Sequence, residues 1–286
     1  MSASQAELAF AKGGARTEDR AGVPDPRRMA RRKRLSALAV GTVSIVSFLA
    51  LWETLTRIGL IDRSILPPPS MVLRQLLRQI EGGALAADAL ASGTRVLVGF
   101  SLSAAVAVPL GIVLGTSPSL KAAFDPVLSI IRPLPSLSWI PLSMIWFGID
   151  EAEKYSIVFM GTFAPLLVFV TDAARRVDPI FLKAARNLGA SRLQLLWEVV
   201  VPAALPSILS ALKVTLAISW ACVISAEMVG ATNGLGFLIW NAKDWGNIAQ
   251  VIVGMLSISA AVVVLDSLLR GVERRLLPWL RGEHNS

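Results

Sequence analysis

Three ionisable side chains, Arg132, Lys213 and Glu227, stand in or beside long apolar runs, and Trp139 lies close to the first of them. A charge held inside hydrocarbon is costly, so such residues are functional candidates by default. The chemistry open to them is recognition of a small solute in passage: a cation attracts an anion, and a carboxylate gates or pairs. Arg132, Trp139, Lys213 and Glu227 are therefore the candidate lining of a translocation path. A plainer role stands beside each charge. On the span boundaries given below, Arg132 and Lys213 fall within a turn or two of cytoplasmic ends and can snorkel to water. Glu227 sits near the outer end of its span, where it can pair or reach solvent. Asp266 precedes Arg270 by one helical turn, the spacing of a helix-surface ion pair.

Bond-making chemistry is poorly provided for. The only histidine is His284, in a polar C-terminal stretch, and the only cysteine, Cys222, lies in an apolar run and reads as a small packed hydrophobe. That inventory excludes a histidine-based triad, a cysteine-based metal cluster and an intrachain disulfide. No catalytic residue, metal or cofactor is expected. No G-x-x-x-x-G-K-[ST] phosphate loop occurs, so the chain is not expected to bind ATP by that route.

The elements that must position the charges are membrane spans. With 54% hydrophobic and 17% charged residues, the chain is too apolar for a soluble domain of its length. Apolar runs at roughly 35–55, 94–115, 127–148, 155–172, 205–227 and 248–269 each approach the ~20 residues that cross a bilayer. The prediction is an all-α, polytopic transmembrane bundle of about six spans. Residues 1–34 read as a disordered, basic cytoplasmic tail and 35–286 as the membrane domain. The first apolar run is too long for the core of a cleaved signal. With the tail inside, the spans alternate, and both termini, a turn at 116–126 and the segment 178–202 fall in the cytoplasm. Of 28 Lys and Arg residues, only Arg57, Arg63, Arg74, Arg78, Lys154 and Lys243 then lie outside, with Arg95, Arg132 and Lys213 within spans. That asymmetry obeys the positive-inside rule and assigns the net charge of +8 to membrane topology rather than to nucleic acid.

Details of the spans add constraints. Pro133, Pro135 and Pro141 predict a kinked or unwound third span, which must be buried in protein or face a water-filled cavity. Ser70–Glu81 is amphipathic, with Val72, Leu73, Leu76, Leu77 and Ile80 opposite Arg74, Arg78 and Glu81. It either lies flat on the outer surface or caps the bundle. Gly111 and Gly115 form a GxxxG that closes two helices together, within the chain or across a dimer.

Between the fourth and fifth apolar runs lies a polar-faced segment, Asp178 to Pro206. Asp178 followed by Pro179 reads as an N-cap and a first helical position. Ile180, Phe181, Ala184, Ala185 and Leu188 recur at helical spacing, with Lys183, Arg186 and Asn187 on the other side. Gly189 supplies a stop. Ser191 and Gln194 make a capping box that starts a second helix, expected to run to Pro202. The result is an elbow of two short helices.

The pattern Ala184-Ala185, Gly189, Val199-Val200-Val201-Pro202 resembles the EAA loop of ABC-importer permeases. The wider chain is similar to the sulfonate, taurine and nitrate branch of that family. The similarity is carried by Leu66-Pro67-Pro68-Pro69-Ser70, Arg132-Pro133-Leu134-Pro135, Trp139-Ile140-Pro141-Leu142, Trp146-Phe147-Gly148-Ile149, Ala226-Glu227-Met228 and Gly234-Leu235-Gly236. The resemblance implies a type I importer fold in a bacterial inner membrane and a cytoplasmic loop docked on an ATPase subunit. It makes Lys183, Ala184, Ala185, Gly189, Ala190 and Pro202 the ATPase-coupling residues. Lys183 stands where the family has a glutamate, which removes any role for an acidic side chain there. The implied partners are two ATPase copies, a second permease chain in a homodimer, an external solute-binding protein, and lipid. The implied cargo is a small anion of the taurine, alkanesulfonate or nitrate kind.

Other classes fit less well. A secondary transporter without an ATPase should carry midplane ion sites, and many show inverted repeats, whereas no internal repeat is seen here. An ABC permease for a different small organic solute remains the nearer alternative. A membrane enzyme needs clustered histidines, cysteines or carboxylates at one depth. A scaffold would use the elbow without transport.

Overall fold

The computed structural model describes residues 26–276, and the regular elements among them are all helical. The chain divides after Leu55. Its first unit carries α1 (Pro26–Arg57), of which Ala39–Arg57 is long and apolar enough to cross a membrane. Residues 26–34, assigned above to a disordered tail, are helical as part of α1. The remainder of that tail, and His284 with Arg281, lie outside the described residues.

The second unit contains α2 (Pro69–Glu81), α3 (Ala84–Thr116), α4 (Pro118–Ile131), a 3₁₀ turn (Ser136–Trp139), α5 (Ile140–Phe147), α6 (Glu151–Arg175), α7 (Pro179–Asn187), α8 (Arg192–Gly230), α9 (Leu235–Asp244) and α10 (Ile248–Leu276). Among the described residues five helices are long enough and apolar enough to span a membrane. The number becomes six if α4 and the Ser136–Phe147 segment are one broken span.

The centre of this unit is the α3–α6 pair. Cβ atoms built on Gly99, Gly111 and Gly115 would come within 2.6–2.8 Å of Val158, Val170 and Ala174 respectively. Glycine is what allows the two backbones so close, and it places the GxxxG contact within the chain. α8 lies against α6 on a second side, and the core forms two apolar clusters. One gathers Val158, Trp220, Val223 and Leu235 toward the α9 end. The other gathers Leu167, Val170, Ala204 and Ile208 toward the elbow. α2 buries Val72 and packs Leu76 on the first cluster, so it caps the bundle.

Several boundaries differ from the sequence reading; α3, expected from 94, begins at Ala84. The third span does not begin at 127: helix starts at Pro118, and the 116–126 turn shrinks to Ser117. Proline disfavours helix at the residue before it, so Ser117 turns extended and Pro118 opens a new helix at once. The expected kink is a full break, with α4 and Ser136–Phe147 inclined at 88°. Its second half is seated on Gly161, whose absent Cβ leaves room for Cys222 and Ser136. The second elbow helix does not stop at Pro202. It runs through a π-helical segment, Leu195–Val200, into the span ending at Gly230. Val201 bonds back to Leu196, five residues earlier; this widened turn immediately precedes Pro202, whose ring would collide with a regular helical carbonyl.

Candidate functional site

The elbow is built by local chemistry. The Asp178 carboxylate accepts from the Ile180 amide at 2.8 Å, and Pro179 follows as the first helical residue. At the other end of α7, Gly189 adopts φ +82°. Its amide donates to Arg186 and that of Ala190 donates to Ala185, both at 3.0 Å. This paired closure satisfies carbonyls that a helix end leaves open. Ser191 and Gln194 complete a reciprocal capping box. Ala185 and Ala190 are thus joined by backbone, half-buried on the inner side of the corner.

Beside its exposed polar residues, the elbow leaves several large hydrophobes outside. Leu182 and Leu196 pack into the bundle. Ile180, Phe181 and Leu188 remain exposed, the last at 89%, with Leu193 and Trp197 beyond the corner. On a 3.6-residue helix, Ile180, Ala184, Leu188 and Phe181 form one stripe, with the small Ala184 in its middle. Lys183 is exposed beside that stripe, and Pro202 is exposed where α8 leaves the elbow.

Glu227 is held deep in the protein rather than at a solvent-facing end. It is 1% exposed and accepts from Arg95 Nη1 at 2.8 Å, Ser92 Oγ at 2.7 Å and the Gly236 amide at 2.8 Å. Ser92 Oγ in turn accepts from the Leu235 amide, and Asp88 accepts from the Gly234 amide. The first amides of α9, which have no partner within their own helix, are therefore satisfied by side chains of α3 and α8. Gly234 is required at this point. A Cβ there would lie 2.5 Å from the Glu227 carboxyl, and the backbone has φ +111°. The Arg95 guanidinium closes the cluster, reaching Glu151 with Nε and Nη2 and Asn233 with Nη1 and Nη2. Sequence reasoning placed Arg95 inside a span without giving it a role, and it passed over Asp88, Ser92, Glu151 and Asn233. The available signal was a lone arginine in the same apolar context that singled out Glu227.

The other candidates are dispersed. Lys213 of α8 pairs with Glu273 of α10 and is half-buried. Asp266 and Arg270 form the expected pair at 2.7 Å. Trp139 ends the 3₁₀ turn, half-buried. Arg132 caps α4 at the break and is exposed, lining a groove against α6 with Gly161, Pro165 and Phe169. The four do not converge on one point.

A family model described as "Binding-protein-dependent transport system inner membrane component" matches residues 107–281, well over half of the chain. The chain belongs to this family. The permease is 36% identical over 252 residues to the taurine transport system permease protein TauC of Escherichia coli (strain K12), covering 86% of this chain and 90% of that one. It is 30% identical over 245 residues to the nitrate import permease protein NrtB of Synechocystis sp. (strain PCC 6803), covering 82% and 88%. The permease also superposes on the MetNI methionine ABC transporter in an inward-facing conformation, with a TM-score of 0.57 and 21% identity, over 68% of this chain and 95% of that one. At that identity the likeness concerns the fold, which is that of a type I ABC-importer permease. The permease is therefore a multi-pass protein of an inner-membrane family.

Proposed function

We propose that this permease is the membrane subunit of an ATP-driven importer for a small oxyanion of the taurine, alkanesulfonate or nitrate kind. An external binding protein delivers the solute, two permease chains pair, and each elbow docks on one of two ATPase subunits. Both termini and the elbow lie on the cytoplasmic side, and hydrolysis of ATP belongs to the separate ATPase chain. The observation that carries this reading is the apolar stripe of Ile180, Phe181, Ala184 and Leu188 on a rigidly capped corner. A polar segment that ends in large exposed hydrophobes, held by caps at both helix ends, supports a surface kept in shape for a partner. Lys183, Ala184, Ala185, Gly189, Ala190 and Pro202 take the coupling role: Ala184 by staying small in the stripe, Ala185, Gly189 and Ala190 by holding the corner. The relatives named for taurine and nitrate support the anion class.

The test is co-purification with an ABC ATPase subunit from the same organism, co-expressed with the permease. Ala184→Trp fills the stripe, and Gly189→Val opposes the positive φ of the corner. Both variants are expected in the membrane at wild-type amounts but without ATPase. Full recovery of ATPase with both would sink the elbow as the docking point.

A further inference from the structure

Cations set within the spans of the second unit are mostly neutralised inside the protein. Arg95 is shared between Glu151 and Glu227, and Lys213 pairs with Glu273. Lys154 donates to the Asp150 carbonyl and lies 3.5 Å from Glu153. Arg132 differs. Among the described residues its guanidinium meets no carboxylate and no hydrogen-bond acceptor, and it is exposed.

Its position along the helix differs too. Because helix begins at Pro118, the fourteen residues of α4 precede it, about 21 Å of rise. The groove it lines, about 300 Å³, runs against Met160–Phe169, the middle of the 25-residue span α6. That sets Arg132 level with the middle of α6 and away from the Pro118 end of α4. A second groove of about 350 Å³ continues along α6 from the shared residue Phe169, past Asp172 and Arg176, with Ser207 and Ser210 of α8 opposite. The two grooves follow one face of α6 from the break toward the elbow end, and Phe169 stands between them.

The backbone immediately around Arg132 offers little to an anion. The amides of Arg132 and Leu134 are spent on Leu128 and Ile131, and Pro133 and Pro135 have none. Recognition there falls to the side chain. A guanidinium binds two oxygens of a planar or tetrahedral oxyanion through parallel N–H donors, which an ammonium cannot do.

We propose that Arg132 is the anion-binding residue of the transport path, at mid-membrane on the groove along α6, and that Phe169 separates this site from the inner exit. The proposal rests on the importer reading above. The site holds the oxyanion in transit without a fixed counter-ion of its own, so a neutral or cationic solute gains nothing from it.

The experiment uses the complete transporter, permease with its ATPase and binding protein, in proteoliposomes with labelled taurine and, separately, nitrate. Arg132→Gln is expected to lower ATP-driven uptake roughly tenfold or more, the scale of one lost charge-assisted bidentate contact. Stimulation of ATP hydrolysis by loaded binding protein should stay within about twofold of wild type, since Arg132 holds no structural partner. Arg132→Lys keeps the charge but not the fork and should fall between the two. Phe169→Ala, which removes the divider, should change uptake while leaving assembly intact. Wild-type uptake by Arg132→Gln overturns this proposal and leaves the importer reading standing. Absence of ATP-driven uptake of either anion by the wild type overturns both.

Discussion

Arg95 Nη1 donates to Glu227 Oε1 at 2.8 Å, joining α3 to α8 through two side chains that are 3% and 1% exposed. Losing one partner strands the other as a buried charge. Arg95→Met is expected to destabilise the protein by about 3–5 kcal/mol, and the Arg95→Met, Glu227→Met double variant by much less than the sum of the two. Thermal unfolding in detergent of the four proteins in the cycle measures this; strictly additive losses would contradict the pairing.

Close packing of α3 on α6 gives a prediction with its own control. A Cβ at Gly115 would sit 2.6 Å from Ala174 Cβ, whereas one at Gly93 in the same helix meets nothing within 4 Å. Gly115→Val should cost about 1–3 kcal/mol through overpacking. Gly93→Ala should be neutral or stabilise by about 0.5–1 kcal/mol, because alanine is the better helix former. Equal unfolding temperatures for the two variants would refute the packing account.

The capping box predicts a local rather than a global effect. Ser191→Ala removes the acceptor for the Gln194 amide, worth about 1 kcal/mol or roughly fivefold in local opening. Hydrogen exchange at the start of α8 should quicken by that factor, while amides of α3 and α6 keep wild-type protection. Uniform acceleration across the spans would show that the cap supports the whole fold instead.

For Lys213, an ion pair with Glu273 and a place in the transport path make different demands. If the pair is its role, Lys213→Glu should weaken the protein and Lys213→Glu with Glu273→Lys should restore both stability and uptake. Lost uptake in the stable, charge-reversed protein would instead put Lys213 in the path.

What the sequence disclosed depended on how local the cause was. The elbow was legible almost atom by atom, because Asp178, Gly189, Ser191 and Gln194 act on backbone within a few residues of themselves. The spans were legible from apolar runs, though not their ends: Ser117–Pro118 turns and restarts the chain inside what reads as a polar link. Pro202 misled for a related reason, since a π turn just before it lets the helix continue. The Arg95–Glu227 lock was hidden because it depends on how three helices, the 231–234 loop and the start of α9 are set against each other. Periodicity places Arg95 on a helix but says nothing of what stands across from it.

The continuity of α8 has a mechanical consequence. From Arg192 to Gly230 it is one rod of 39 residues, about 58 Å at 1.5 Å per residue and nearly twice the ~30 Å of hydrocarbon. A tilt imposed at its elbow end cannot dissipate in a flexible link on the way, for there is none. It must arrive at the far end as a swing of the Glu227 corner, with the π turn the softest point along the beam.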